Sequence, residues 1–195
     1  MNNFYAMMSR MKYINRWALM RNSYTENISE HSLEVSMLAH ALCIIGNKRM
    51  GKSLDADRAA MIALYHDATE IITGDMPTPI KYLNKDIKGA FKEIEADAAN
   101  KLLSMLPEDF REDYRKIFFP GEDEKYLCRL VKAADKLSAL IKCIEEEKMG
   151  NAEFSSAGDS LRKSIEEMKL EEADLFIKEF LPAFYLTLDE LQQGK

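Results

Sequence analysis

The chain has 195 residues, enough for one sizeable hydrophobic core and too few for a comfortable second one. Its 47% hydrophobic and 31% charged residues describe a soluble globular protein. Lys and Arg number 27 against 33 Asp and Glu, and the net charge of −6 excludes a passive binder of nucleic-acid polymers, which needs a basic face; a small phosphate-bearing substrate stays open.

Apolar residues Phe4, Met7, Met8, Met11, Ile14 and Leu19 are spaced mostly three and four apart and predict a first helix over residues 4–20, with Arg16-Trp17 near its end. Residues 22–26 are polar and read as a loop. Asn27-Ile28-Ser29-Glu30 has capping-box spacing, so Asn27 or Ser29 starts a second helix that carries His31 in its first turn and runs to about Ile45, stopping at Gly46-Asn47. His40 shares the stripe Leu33, Met37, His40, Ile44 of that helix and reads as a hydrogen-bonded core histidine. After a loop over 48–54, Asp55 or Asp57 caps a helix reaching Thr73 and ending at Gly74. Residues 75–79 hold two prolines and are expected to form a rigid, non-helical loop.

Further helices are expected over 86–106, 108–118 and 122–148, the last burying Leu127, Leu130, Val131, Ala134, Leu137, Ile141 and Ile144. A loop over 149–158 precedes helices at 161–168 and 172–191, the second kinked at Pro182. The expected class is all-α, with residues 1–195 forming a single domain. No apolar run approaches the ~18 residues of a membrane span, and no signal-peptide pattern opens the chain. Cys43, Cys128 and Cys143 lie in apolar segments without metal-type spacing and read as core packing in a reducing compartment.

The most informative stretch is Tyr65-His66-Asp67-Ala68-Thr69-Glu70. On a continuous helix His66, Asp67 and Glu70 share a face of an otherwise apolar element (Met61, Ile62, Leu64, Ile71, Ile72). Burying one imidazole and two carboxylates uncompensated is costly, and a divalent cation would resolve it, since both groups are ordinary ligands. A solvated polar face is the alternative. With His31 and Asp135 the candidates become His31, His66, Asp67 and Asp135, drawn from three helices. This nitrogen–oxygen shell suits one divalent transition metal (Co, Mn, Zn, Ni or Fe) rather than Ca or Mg.

The order His, His-Asp, Asp on helices resembles the HD-domain metal phosphohydrolases. Ile14-Asn15-Arg16-Trp17, Arg21-Asn22, Asn27 to His31 and Ser32, His66 to Glu70, Gly74-Asp75-Met76-Pro77-Thr78-Pro79-Ile80-Lys81-Tyr82 and Ala134-Asp135-Lys136 together look like the bacterial HD-domain 5′-deoxynucleotidases, over most of the chain to about Lys148. The resemblance implies a cytoplasmic, usually homodimeric enzyme, with no membrane or nucleic-acid-polymer partner, that removes the 5′-phosphate from deoxyribonucleoside monophosphates. It assigns the metal to His31, His66, Asp67 and Asp135, and catalysis to Arg16, Glu70 and Asp75. Substrate binding falls to Arg16, Trp17, His31, Asp67, Asp75, Met76, Pro77, Thr78 and Asp135. Without it, Arg16 reads as a surface arginine, Trp17 equally as packing, Glu70 as a cap or surface carboxylate and Asp75 as a turn cap. Two competing readings remain: an HD phosphohydrolase acting on triphosphates or cyclic nucleotides, and a catalytically silent HD-fold binding module.

Overall fold

The computed structural model describes residues 2–81 and 83–193, apart from the side chains of Thr78 and Pro79. The helices in chain order are α1 Phe4–Met8, α2 Ile28–Arg49, α3 Ala56–Tyr65, α4 Glu70–Thr73, α5 Thr78–Lys81, α6 Lys85–Ser104, α7 Arg111–Phe118, α8 Lys125–Lys148, α9 Ser155–Glu166, α10 Glu171–Glu179 and α11 Leu188–Gln193. Among the described residues the one extended pairing is an antiparallel bridge between Asn15 and Asn27. The protein is all-α, as expected.

The molecule is organised around α8, whose Leu130, Val131, Ala134, Leu137, Ile141 and Ile144 are buried on one side and Ala133, Leu140, Cys143 and Glu146 elsewhere on its circumference. With α2, α3, α9 and α10 it builds the main core; Val35, Leu42, Ile62, Ile165 and Phe176 lie in it. A second core gathers Phe4, Ala68, Leu102, Leu103 and Leu106, with Tyr65, Ile72, Tyr114 and Phe118 packed against it. The stretch from Ala59 to Ala68 therefore crosses from one core to the other, and His66-Asp67 sits at the crossing.

Asn27 caps α2 as its spacing predicts, accepting from Ser29 N (3.0 Å) and Glu30 N (3.1 Å), while Glu30 reaches back to Asn27 N. The helix does not stop at Gly46 but runs to Arg49. Gly46 is a close-packing position instead: a Cβ there would lie 2.8 Å from Leu54 Cδ1 and 2.9 Å from Glu172 Oε1. Gly158 is buried within α9, so the predicted loop over 149–158 ends early, at a 3₁₀ turn over Ala152–Phe154.

Four further expectations are corrected. The first helix ends at Met8 and continues as a 3₁₀ turn, Ser9–Tyr13; Met8, Met11 and Ile14 repeat at three, the period of that tighter helix. Ile14 is extended and its carbonyl accepts from Ile28 N (3.0 Å), and Arg16 N donates to Glu26 O (3.0 Å), so Arg16 and Trp17 lie in a loop pinned to the start of α2. The helix predicted through Thr73 breaks after Tyr65 and resumes at Glu70; hydrogen bonds of i→i+3 type, among them Ala68 N to Tyr65 O and Glu70 N to Asp67 O (both 3.0 Å), join the pieces. Pro77-Thr78-Pro79 opens the one-turn helix α5 instead of forbidding one, because first-turn positions need no donated N–H; Ile80 N and Lys81 N both bond Pro77 O. The helix predicted over 172–191 is three pieces, since Pro182 starts a 3₁₀ turn, Leu181–Tyr185, between α10 and α11.

Cys43 and Cys143 are buried and Cys128 half-buried, all free thiols. His40, by contrast, is not a core histidine. Its side chain is 45% exposed, with Nε2 3.8 Å from Asp57 Oδ1, and its stripe neighbours Leu33, Met37 and Ile44 face outward.

Candidate functional site

The first turn of α2 delivers His31, the turn after α3 delivers His66 and Asp67, and the middle of α8 delivers Asp135. His31 Nε2 lies 3.2 Å from Asp135 Oδ1 and 3.5 Å from Asp67 Oδ2. His66 Nε2 lies 3.2 Å from Asp67 Oδ2 and 4.0 Å from Asp135 Oδ1. Ligand atoms of His31, His66 and Asp67 fall within 4.8 Å of one another. Asp135 turns one oxygen toward this group and the other to Lys132 Nζ at 2.5 Å. Both imidazole Nε2 atoms are buried without a hydrogen-bond partner. Two orphaned nitrogen donors facing two carboxylates are the donor set that fits a divalent transition ion. The break after Tyr65 falls at the centre: His66 and Asp67 sit in the i→i+3 turn between α3 and α4, with His66 Nε2 3.2 Å from Asp67 Oδ2.

The electrostatics suit that role. Burial and the Arg16 guanidinium hold His31 below its ordinary value, leaving it neutral. Burial also opposes charge on His66, but Asp67 and Asp135 carry it above its ordinary value. Asp67 and Asp135 stay ionised despite burial: His66 holds the first well below the usual carboxylate range, and Lys132 and His31 the second. Glu70 behaves oppositely. It is buried, its Oε2 has no partner, and burial with the neighbouring Asp67 and Asp75 charges pushes its carboxyl up to about 9. It therefore carries a proton at neutral pH. Asp75 follows Gly74, whose φ of 75° turns the chain sharply at the end of α4. Burial raises Asp75, with Arg16 pulling it back and Asp67 pushing it up, which places it in the field of the same cluster.

Arg16 is largely buried. Its Nη1 donates to Glu26 Oε2 (3.1 Å) and approaches His31 Nδ1 (2.5 Å). Trp17, at φ 61°, donates Nε1–H to the same Glu26 Oε2 (2.8 Å) and packs its ring 5.2 Å from that of Phe154. A non-glycine residue in the left-handed region is strained, and one carboxylate oxygen shared with the neighbouring arginine holds it there. Met76 and Pro77 are partly exposed in the segment leading to α5. The side chains of Thr78 and Pro79, and Tyr82, lie outside the described residues.

Sequence reasoning missed several groups. Ser138 Oγ lies 3.0 Å from His31 Nδ1 and donates to Glu34 Oε2 at 2.5 Å; burial pushes Glu34 up to about 7, the Ser138 hydroxyl opposing it. Both were within reach, since Glu34 follows His31 by three on α2 and Ser138 follows Asp135 by three on α8. Glu26 and Phe154 carried no such signal, because each meets its partner through the tertiary fold. Glu146 is fully buried and accepts Ser23 N (2.9 Å), Tyr24 N (3.2 Å), Asn151 Nδ2 (2.8 Å) and Lys142 Nζ (2.5 Å), tying the loop beyond Trp17 to α8.

Residues 3–184 match the family model described as 5′-deoxynucleotidase YfbR-like. The chain is 47% identical over 190 residues to a 5′-deoxynucleotidase of Vibrio vulnificus, covering 97% of this chain and 98% of that one. Among solved structures it is similar to an HD-domain phosphohydrolase from Listeria innocua (TM-score 0.81, 22% identity, covering 98% and 96% of the two chains). It is also similar to the cyanophage S-2L HD phosphohydrolase bound to dA and one catalytic Zn2+ ion (TM-score 0.65, 22% identity, covering 93% and 96%).

Proposed function

Because the chain belongs to the YfbR-like 5′-deoxynucleotidase family, with the HD phosphohydrolase fold, we propose that its site hydrolyses the 5′-phosphate of deoxyribonucleoside monophosphates, giving deoxyribonucleoside and phosphate. The observation that carries this reading is the convergence of the two orphaned imidazole nitrogens on Asp67 and Asp135. His31, His66, Asp67 and Asp135 hold one divalent cation in this proposal, its identity among Co, Mn, Zn, Ni and Fe left to measurement. When bound, such a cation supplies Lewis acidity to the phosphate and an activated water near neutral pH.

The chain's own groups do the rest. Arg16 presents the planar fork of donors that matches phosphate oxygens, held at the cluster by Glu26. Glu70, protonated at neutral pH, and Asp75 flank the centre as the proton-handling carboxylates, one placed to give a proton to the leaving 5′-oxygen and the other to orient water. Trp17 supplies the sugar wall, and 75–78 the substrate loop closing over it. The experiment is a phosphate-release screen over deoxy- and ribonucleoside mono-, di- and triphosphates, run with metal content on wild type and Asp67→Ala. Selective release from deoxyribonucleoside monophosphates, abolished with metal content in the variant, is expected. Preference for triphosphates, or full activity in metal-depleted Asp67→Ala, refutes it.

Residues 1–195 act as one domain in this reading, supported by the passage of Ala59 to Ala68 through both cores. A cytoplasmic homodimer is supported by the absence, among the described residues, of a helix able to cross a membrane and by the exposed stripe Leu33, Met37 and Ile44 on α2. Met37→Glu should shift sedimentation to that of a monomer; unchanged sedimentation removes this face from the dimer.

A further inference from the structure

His31 and His66 turn the same atom, Nε2, toward the candidate metal position, but their rings are secured differently. His66 Nδ1 lies 2.7 Å from the Ala63 carbonyl, which can only accept, so Nδ1 carries the proton and Nε2 keeps its lone pair. His31 has no carbonyl to perform that task. Its Nδ1 has two hydrogen-bonding competitors, with the Glu26 carboxylate Oε1 beyond hydrogen-bond reach at 3.7 Å. One is Ser138 Oγ at 3.0 Å, whose own proton goes to Glu34 Oε2 at 2.5 Å. A hydroxyl so committed offers a lone pair to the ring and favours the proton on Nδ1. The other is Arg16 Nη1 at 2.5 Å. A guanidinium only donates, so this contact favours the opposite tautomer, with the proton on Nε2 pointing at Asp135 Oδ1, 3.2 Å away. Only the first tautomer can bind a cation through Nε2.

We propose that Ser138, oriented by Glu34, is a positioning residue that holds His31 in its Nδ1–H tautomer and so makes Nε2 a metal ligand against the competing pull of Arg16. The inference rests on the metal site proposed above. The placement supports it: Ser138 and His31 are both fully buried, and Ser138 lies three residues beyond Asp135 on α8. One helix face thus supplies a metal carboxylate and the group that orients the opposite imidazole. Hydroxyl-to-carboxylate relays behind a ligating histidine raise its basicity and fix its ring.

The test uses metal-free full-length protein at pH 8, where Glu34 is ionised, with Co2+ as probe. Co2+ affinity is measured by chelator competition, and the protonation of the His31 ring nitrogens by 15N NMR of the Zn2+-loaded and metal-free forms. Ser138→Ala and Glu34→Ala should each weaken Co2+ binding roughly 10- to 100-fold and shift the metal-free His31 proton to Nε2. Glu34→Gln, which still accepts the Ser138 proton, should recover most of the affinity. Wild-type Co2+ affinity in Ser138→Ala, with the proton still on Nδ1, overturns the inference. Should Ser138→Ala not fold, Glu34→Ala decides by the same two readings, since it leaves the His31 contact in place. Asp67→Ala separates the two levels: if it too binds Co2+ like wild type, the metal site itself is wrong, and if it alone loses binding, only the Ser138 role is.

Discussion

Replacing Glu146 by Gln tests how the segment beyond Trp17 is held. Its carboxylate is fully buried and accepts from Ser23 N, Tyr24 N, Asn151 Nδ2 and Lys142 Nζ; Asn151 also holds Arg21 O at 2.7 Å. Burial opposes its ionisation, but those donors pull the carboxyl down from 4.5 to about 2. At ~1.4 kcal/mol per pH unit, that depression corresponds to about 3 kcal/mol of folding stability near neutral pH. Glutamine keeps the shape and loses the charge, so Glu146→Gln should cost about 3 kcal/mol at pH 7, or roughly 6–12 °C of Tm for a domain of this size. Because the folded value is depressed, this stability is present above pH 4.5 and is lost as pH falls toward 2. The gap between wild type and variant should therefore narrow to about 2 kcal/mol at pH 3.5. Equilibrium urea denaturation at the two pH values measures it. A gap below about 0.5 kcal/mol at pH 7, the range of ordinary surface substitutions, or one that does not change with pH, refutes the reasoning.

Arg16→Lys should lose most turnover while keeping metal content, since a point charge cannot reproduce the fork; wild-type kcat/KM in that variant removes Arg16 as the clamp. Trp17→Ala should erode discrimination between dAMP and AMP, which an apolar sugar wall sets at about ten- to several-hundred-fold in wild type. An unchanged ratio would place sugar reading elsewhere. Glu70→Gln mimics a carboxyl already protonated at neutral pH, so Tm should stay close to wild type while kcat falls about 10²- to 10⁴-fold, the usual worth of general acid–base catalysis. A large fall in Tm would mean that Glu70 is ionised in the fold.

Helix starts were legible along the chain because capping is local. Asn27 and Asp55 cap α2 and α3 through hydrogen bonds to residues two or three away, and the apolar period of α8 needs only its own spacing. Residue types, too, announced the nitrogen–oxygen cluster, since His31, His66, Asp67 and Asp135 are costly to bury without a cation. Tertiary structure decided where helices end and how the groups converge. Gly46 reads as a break but is a close-packing site, a distinction set by Leu54 and by Glu172, the latter far away in sequence. The change to i→i+3 turns after Tyr65, in the segment that carries His66 and Asp67, lies where the chain passes between two cores. Glu26 is the clearest case. Nothing beside it in the sequence marks it, yet its Oε2 holds both Arg16 and Trp17, because the Asn15–Asn27 bridge folds that loop back on the start of α2. Local propensity acts over a few residues, whereas these positions are set by contacts between segments that only the packed chain brings together.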